Sequence, residues 1–431
     1  MFYKCTRIFM PRSEVGEVKS HYPIRPECQA DAPKTRFKPR ARKTLSPRRW
    51  QAAFTEDGHL DIAGVLKRIQ RGGIHPSIRG EVWEFLLGCY DPNSTSNERK
   101  ELRQHRREQY AAWKSECQKM VPVIGSGKII MVPIVTEDGQ PIKDPSINGG
   151  LAINGGVIPS SAALDKKMTR WKLSLPQIGL DVVRTDGVLV FYESEANQAK
   201  LWDVLAIYAW TDNDIGYVQG MNDICSAMII LLENEADAFW CFQRAMRKLR
   251  ENFRSDANSM GVQTQLRALS GIVRVIDPKL HQHLEALDAG EYLFALRMLM
   301  VLFRREFSFA DSLYLWEVMW AMEYNPQLFA TYEGSNAVDI NTADKKLMKQ
   351  FGKFERNNLK TGKSDQKNAL AVFLAASYLE KKHKQLLKKA KGLDDIVTIL
   401  ANSTSNSDAR KELKKALNIQ QKYLKKTKAT A

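Results

Sequence analysis

Apolar positions recur at helical spacing along most of the chain. Ile62, Val65, Leu66 and Ile69 mark one face of a helix that Gly72-Gly73 should stop. Leu201, Val204, Leu205 and Tyr208 mark another, residues 221–232 are almost continuously apolar, and Phe239, Phe242, Met246 and Leu249 resume the helical period. Segments 293–303, 312–322 and 370–386 repeat this texture toward the C-terminus. Helices that are apolar on every side belong at the centre of a helical packing. No alternating series of strand type competes with them, so the pattern predicts an all-α architecture.

The pattern breaks in three places. Residues 1–55 combine Pro11, Pro23, Pro26, Pro33, Pro39 and Pro47 with basic side chains and few aliphatics, and so predict a disordered tail that buries too little to offset chain entropy. Residues 121–164 lose periodicity among glycines and prolines and predict a long loop insertion, with a short hairpin around 128–135. Residues 332–368, rich in Lys, Asn and Gly, predict a second insertion. The body should therefore span 56–390, followed by a Lys-rich, partly helical segment over 391–431.

Charge sharpens this outline. The 431 residues carry a formal net charge of +16 with 44% apolar side chains, enough for a sizeable core. Much of the excess lies near the two ends, in Lys34–Arg49 and in Lys381–Lys391, where the simplest reading is a solvated flank and the functional one is contact with an acidic membrane surface. The basic charge alone does not make nucleic acid the partner, since zinc-finger spacing, an aromatic RNA-binding stretch and a basic zipper are all missing, and that reading stays a weaker third choice. The six cysteines stand singly, which suits a reducing compartment and gives no metal spacing. No secretory leader is legible at the start, and no uninterrupted apolar run reaches the roughly 18 residues of a membrane span, which predicts a soluble, cytoplasmic chain.

Three motifs carry chemistry. Gly72-Gly73-Ile74-His75-Pro76-Ser77-Ile78-Arg79-Gly80-Glu81-Val82-Trp83 comes first, Ile178-Gly179-Leu180-Asp181-Val182-Val183-Arg184-Thr185 second, and Tyr217-Val218-Gln219-Gly220-Met221-Asn222 third. Taken singly, Asp181 and Arg184 make an ordinary i,i+3 pair and Gln219 is a polar turn residue. Taken in order, the three motifs resemble the TBC domain family of Rab GTPase-activating proteins over about residues 71–390.

That resemblance implies two packed helical subdomains of TBC type. It also implies a specific chemistry: Arg184 is an arginine finger and Gln219 a glutamine finger, both supplied in trans to a GTP-bound Rab-family GTPase. Asp181, Thr185, Tyr217, Gly220 and Asn222 would support them, and Arg79, Gly80 and Trp83 would form a structural motif. GTP and Mg²⁺ would come with the GTPase, so the chain needs no cofactor of its own and completes another protein's active site rather than holding a substrate pocket. It contains no phosphate-binding loop, since Thr361-Gly362-Lys363-Ser364 lacks the preceding glycine and strand. The resemblance places the protein in vesicle-mediated transport, in the cytoplasm or peripheral on endomembranes. The alternative is a non-catalytic adaptor that uses the same surface to bind a GTP-loaded GTPase or a trafficking partner. Asp186-Gly187 departs from the apolar or proline-containing continuation more usual after the arginine.

Overall fold

The computed structural model describes residues 21–142, 162–254, 261–334, 345–361, 369–401 and 407–429. Its principal helices in the first half are α1 (Ile62–Gly72), α2 (Arg79–Leu86), α3 (Ser96–Met120), α4 (Ala162–Val182), α5 (Glu195–Thr211), α6 (Met221–Leu231) and α7 (Glu235–Leu249). The second half holds α8 (Gly261–Ile276), α9 (Phe309–Met322), α10 (Lys345–Gln350), α11 (Lys353–Thr361), α12 (Leu370–Lys389) and α13 (Ala409–Ala429). Among the described residues there are isolated β-bridges and no named strands. The chain is all-α.

Helices that read as apolar on every face occupy the centres of two groups. In the first, α5 is buried from Leu201 to Trp210 and packs against α4, α6 and α7, while α3 covers α7. In the second, the whole of α9 and the stretch Leu370–Leu379 of α12 are buried, with α8 and α13 laid against α12. The first two helices tie the groups together. α1 lies along α9, and α2 meets α6 so closely that a side chain at Gly80 would come within 2.6 Å of the Leu231 carbonyl oxygen.

A buried ion pair reinforces that junction. Arg79, fully buried, sets its Nε 2.7 Å from Glu317 Oε1, and the same carboxylate accepts from Trp83 Nε1 at 3.2 Å and from the Ile74 amide at 3.2 Å. Burial pushes the Glu317 carboxyl up to about 7, against the opposing pull of Arg79 and the two N–H donors. Arg79, Gly80 and Trp83 thus join the halves of the fold, with Arg79 and Trp83 buried.

The structure corrects the reading of the N-terminal segment. Residues 21–55 pack onto the body, while 1–20 lie outside the described residues. Phe37, Leu45 and Trp50 are buried; Phe37 stacks on Tyr314 at 5.1 Å, and Trp50 Nε1 donates to Glu81 at 2.8 Å. Its backbone finds partners far along the chain, with the Arg36 amide donating to Asp311 Oδ2 at 2.8 Å and the Leu45 amide to the Gly73 carbonyl at 3.0 Å. Few apolar groups suffice here because each fills a preformed recess and the amides are satisfied.

Smaller corrections follow the same logic. Of the first insertion, residues 121–142 are described, and Ile124, Ile130, Ile134 and Val135 are buried in them. The hairpin-like turn falls later than expected, closed by a Val135–Pro141 bridge. Residues 143–161 lie outside the described part, and 162–164 already belong to α4. Within 332–368, α10 and α11 bury Met348, Phe351 and Phe354. The segment beyond 390 contributes α13, whose Leu413, Ala416 and Ile419 are core positions against the second group. The singly spaced cysteines also meet: Cys89 and Cys241 sulfurs lie 3.7 Å apart, both buried and unbridged.

Candidate functional site

The second and third motifs converge at one end of α4. Ile178 and Val182 turn inward and are buried, which leaves the helix end anchored and aims the following residues outward. Asp181 lies on the same turn with its side chain fully buried, and the helix ends after Val182. Thr185 closes it by donating its hydroxyl to the Asp181 carbonyl at 2.6 Å. Asp186 then takes a left-handed conformation, φ 48°, which turns the chain into residues 187–189.

Gln219 reaches the same point from the loop ahead of α6. Gly220 caps that helix at φ 106°, a conformation that favours glycine. Asn222 fixes the corner, accepting the Gly220 amide at 2.8 Å on Oδ1 and donating from Nδ2 to Thr185 Oγ1 at 2.8 Å. A continuous chain of hydrogen bonds therefore runs from the glutamine loop through Asn222 and Thr185 to the backbone of α4.

The buried Asp181 carboxylate is where the two loops meet. Its Oδ2 accepts the Tyr217 hydroxyl at 2.6 Å, and its Oδ1 accepts both Gln219 Nε2 at 3.1 Å and the Arg184 guanidinium. Burial first, and the bond to Asp181 second, push the Tyr217 phenol well above its usual range, so it remains a donor. Arg184 keeps 57% of its side chain in solvent and Gln219 is exposed. The guanidinium faces solvent while its carboxylate partner is buried, and Asp181 would keep the Tyr217 hydroxyl as a donor if Arg184 turned away. Both groups can swing to an incoming ligand from one carboxylate.

Three residues brace this loop, among them Asp186, which the sequence marked as a departure. Asp186 pairs with the buried Arg304 and accepts the Ser226 hydroxyl at 2.6 Å on Oδ2. Arg305 binds Asp223 at 2.8 Å in the first turn of α6. The Arg304-Arg305 pair, in the second half of the chain, thus grips both finger-bearing loops. An acid directly after Arg184-Thr185 was the available signal, although its partner is distant in sequence. Arg184, Gln219, Asn222, Arg304 and Arg305 line a cavity of about 520 Å³ that Tyr22, Ile24 and Thr35 of the N-terminal segment also border.

Beside them Glu306 is buried, and burial pushes its carboxyl up to about 7, opposed by Arg297 and Arg305. A folded-state pKa above the unfolded one means that the native chain binds the extra proton, so this group stabilises at low pH and the contribution is lost as pH rises toward 7. Glu306→Gln should therefore flatten the stability profile between about pH 4.5 and 7, read as the difference in urea midpoint between variant and parent. Parallel profiles would show that the carboxyl titrates alike in both states.

The Rab-GTPase-TBC domain model matches residues 160–332, which contain both converging motifs. Rab GTPase-activating protein 22 of Arabidopsis thaliana is 31% identical over 369 residues, covering 64% of this chain and 66% of that protein. TBC1 domain family member 17 of Homo sapiens is 32% identical over 282 residues, covering 65% of this chain and 37% of its own length. The chain thus spans somewhat under two thirds of one relative and little more than a third of the other. The crystal structure of the Ypt/Rab-GAP domain of Gyp1p shares the fold, with a TM-score of 0.57, 16% identity and coverage of 88% of this chain and 97% of that domain. Residues 160–332 thus match the Rab-GTPase-TBC domain, and the chain shares the fold of that domain.

Proposed function

We propose that the protein stimulates GTP hydrolysis by a GTP-bound Rab-family GTPase, with Arg184 and Gln219 inserted in trans. The observation that carries this reading is the shared Asp181 carboxylate, which holds an exposed guanidinium and an exposed amide side by side at the mouth of one cavity. The GTPase brings the nucleotide and its Mg²⁺. Arg184 presents a planar cation with several donors to phosphate oxygens, where charge develops as the phosphoryl group transfers. Gln219 can accept from the attacking water through its carbonyl while its amide donates to a phosphate oxygen. Tyr217, Thr185 and Asn222 keep the two loops in register, and neither finger forms a covalent bond. Such an activity would act in vesicle traffic from the cytoplasmic side of endomembranes. Among the described residues no helix is long and apolar enough to cross a membrane.

The test is single-turnover GTP hydrolysis by a panel of purified, GTP-loaded Rab GTPases with and without the chain. Acceleration of one or more members is expected. Binding that depends on GTP without acceleration would favour the adaptor instead. On a responding member, Gln219→Ala should slow stimulated turnover on the order of a hundredfold, the usual loss for one positioned donor. A near-parental rate would assign water positioning to the GTPase's own glutamine.

A further inference from the structure

Far from the fingers in sequence, five cationic side chains gather around one recess. Lys67 and Arg71 stand one turn apart on α1, Lys349 lies on α10, and Lys353 and Arg356 lie on the first turn of α11. They border a cavity of about 800 Å³ whose floor is apolar, with Leu66, Met322 and Phe351 buried beneath. Lys67, Arg71, Lys349 and Lys353 are exposed at the rim and Arg356 is half-buried. The one carboxylate in the lining, Asp61, is engaged in capping α1, where Oδ1 accepts the Gly64 amide at 3.0 Å.

The basic rim is built rather than incidental. A side chain at Gly352 would come within 2.1 Å of the Met322 carbonyl oxygen, and the Gly352 amide donates to the Tyr324 carbonyl at 2.8 Å. The corner between α10 and α11 is thereby seated on the end of α9, and Gln70 ties α1 to the same place through the Ala321 carbonyl at 2.9 Å. Among the described residues none of the five cations makes an ion pair, whereas many other arginines in this fold do. Like charges held around a concave wall repel one another and raise the local concentration of anions. The volume falls within the range of small-molecule sites.

We infer that this recess binds a compact, multiply phosphorylated ring such as an inositol phosphate, free or as the headgroup of a membrane lipid. Five cations disposed on three helices can meet phosphates that point in several directions, which a single phosphate or a sulfate does not need. A nucleoside triphosphate fits less well, because a base wants an aromatic face and the one aromatic ring in the lining, Phe351, is buried in the floor. The inference does not rest on GTPase activation.

The test is calorimetric titration of the full chain with inositol hexakisphosphate, inositol 1,4,5-trisphosphate and ATP, repeated with Lys67→Glu/Arg71→Glu. A control variant, Lys384→Glu/Lys388→Glu, makes the same change of net charge on exposed positions of α12. Saturable one-to-one binding of an inositol phosphate is expected, weakening with salt. The α1 reversal should cost roughly tenfold or more in affinity while the control stays near the parent. No saturable binding, equal losses in both variants, or equally tight ATP would overturn the assignment. Lys349→Ala/Lys353→Ala supplies a second reading of the same site should the α1 variant lose its helical signal. Flotation with vesicles carrying phosphatidylinositol 4,5-bisphosphate, against phosphatidylserine vesicles of equal charge, separates the two sources. Capture competed by free inositol phosphate assigns the lipid headgroup, and free binding without capture assigns the soluble ligand.

Discussion

Arg184→Ala should lower stimulated GTP hydrolysis by about 10³-fold or more on any Rab GTPase that responds to the parent, the loss expected when an arginine finger is withdrawn. Affinity for the GTP-loaded partner should change little, since in the free protein the guanidinium touches Asp181 and otherwise faces solvent. The fold should be indifferent: the ion pair is half-exposed, and Asp181 retains the Tyr217 hydroxyl and the Gln219 amide as donors. Arg184→Lys should recover little of the rate, because an ammonium keeps the charge but loses the planar fork. Turnover and equilibrium binding measured on the same preparations check this, and an unchanged turnover for Arg184→Ala would sink the finger assignment.

Glu317→Ala should have the largest effect on stability. The carboxylate is fully buried and meets the Arg79 guanidinium, the Trp83 indole and the Ile74 amide. Removing it leaves a buried cation and two N–H groups without acceptors, a loss of about 3–5 kcal/mol in comparable pairs. Against a typical domain stability of about 5–15 kcal/mol, much of the folded population would be at risk. Urea unfolding read by tryptophan fluorescence would show it, because Trp83 and Trp316 pack 6.1 Å apart beside the pair. A midpoint close to the parent's would mean that water or a rearranged side chain replaces the carboxylate.

The helical body was legible wherever a helix is buried all round or on one clean face, as with residues 201–210 and 312–322. The meeting of Arg184 and Gln219 was legible only through the family's motifs, since neither spacing nor periodicity brings residue 181 to residue 219. The order of residues 21–55 was not legible, because Phe37 and Trp50 are isolated among prolines and their recesses are supplied by residues far along the chain. Nor was the grip of Arg304 on Asp186, for the same reason of distance. The basic recess escaped notice because Lys67 and Arg71 look like any solvated helix face until α10 and α11 bring three more cations beside them.

The N-terminal segment also carries a kinetic consequence. Thr35 and Arg36 find their partners 273 and 275 residues later, at Ser308 and Asp311. At a synthesis rate of about 5–20 residues per second, those partners leave the ribosome on the order of tens of seconds after the segment itself. Throughout that interval Phe37 has no Tyr314 to stack on, and Arg79 has no Glu317. The contacts of residues 35–37 therefore wait for partners more than 270 residues later in the chain, and closing so long a loop is an intrinsically slow step.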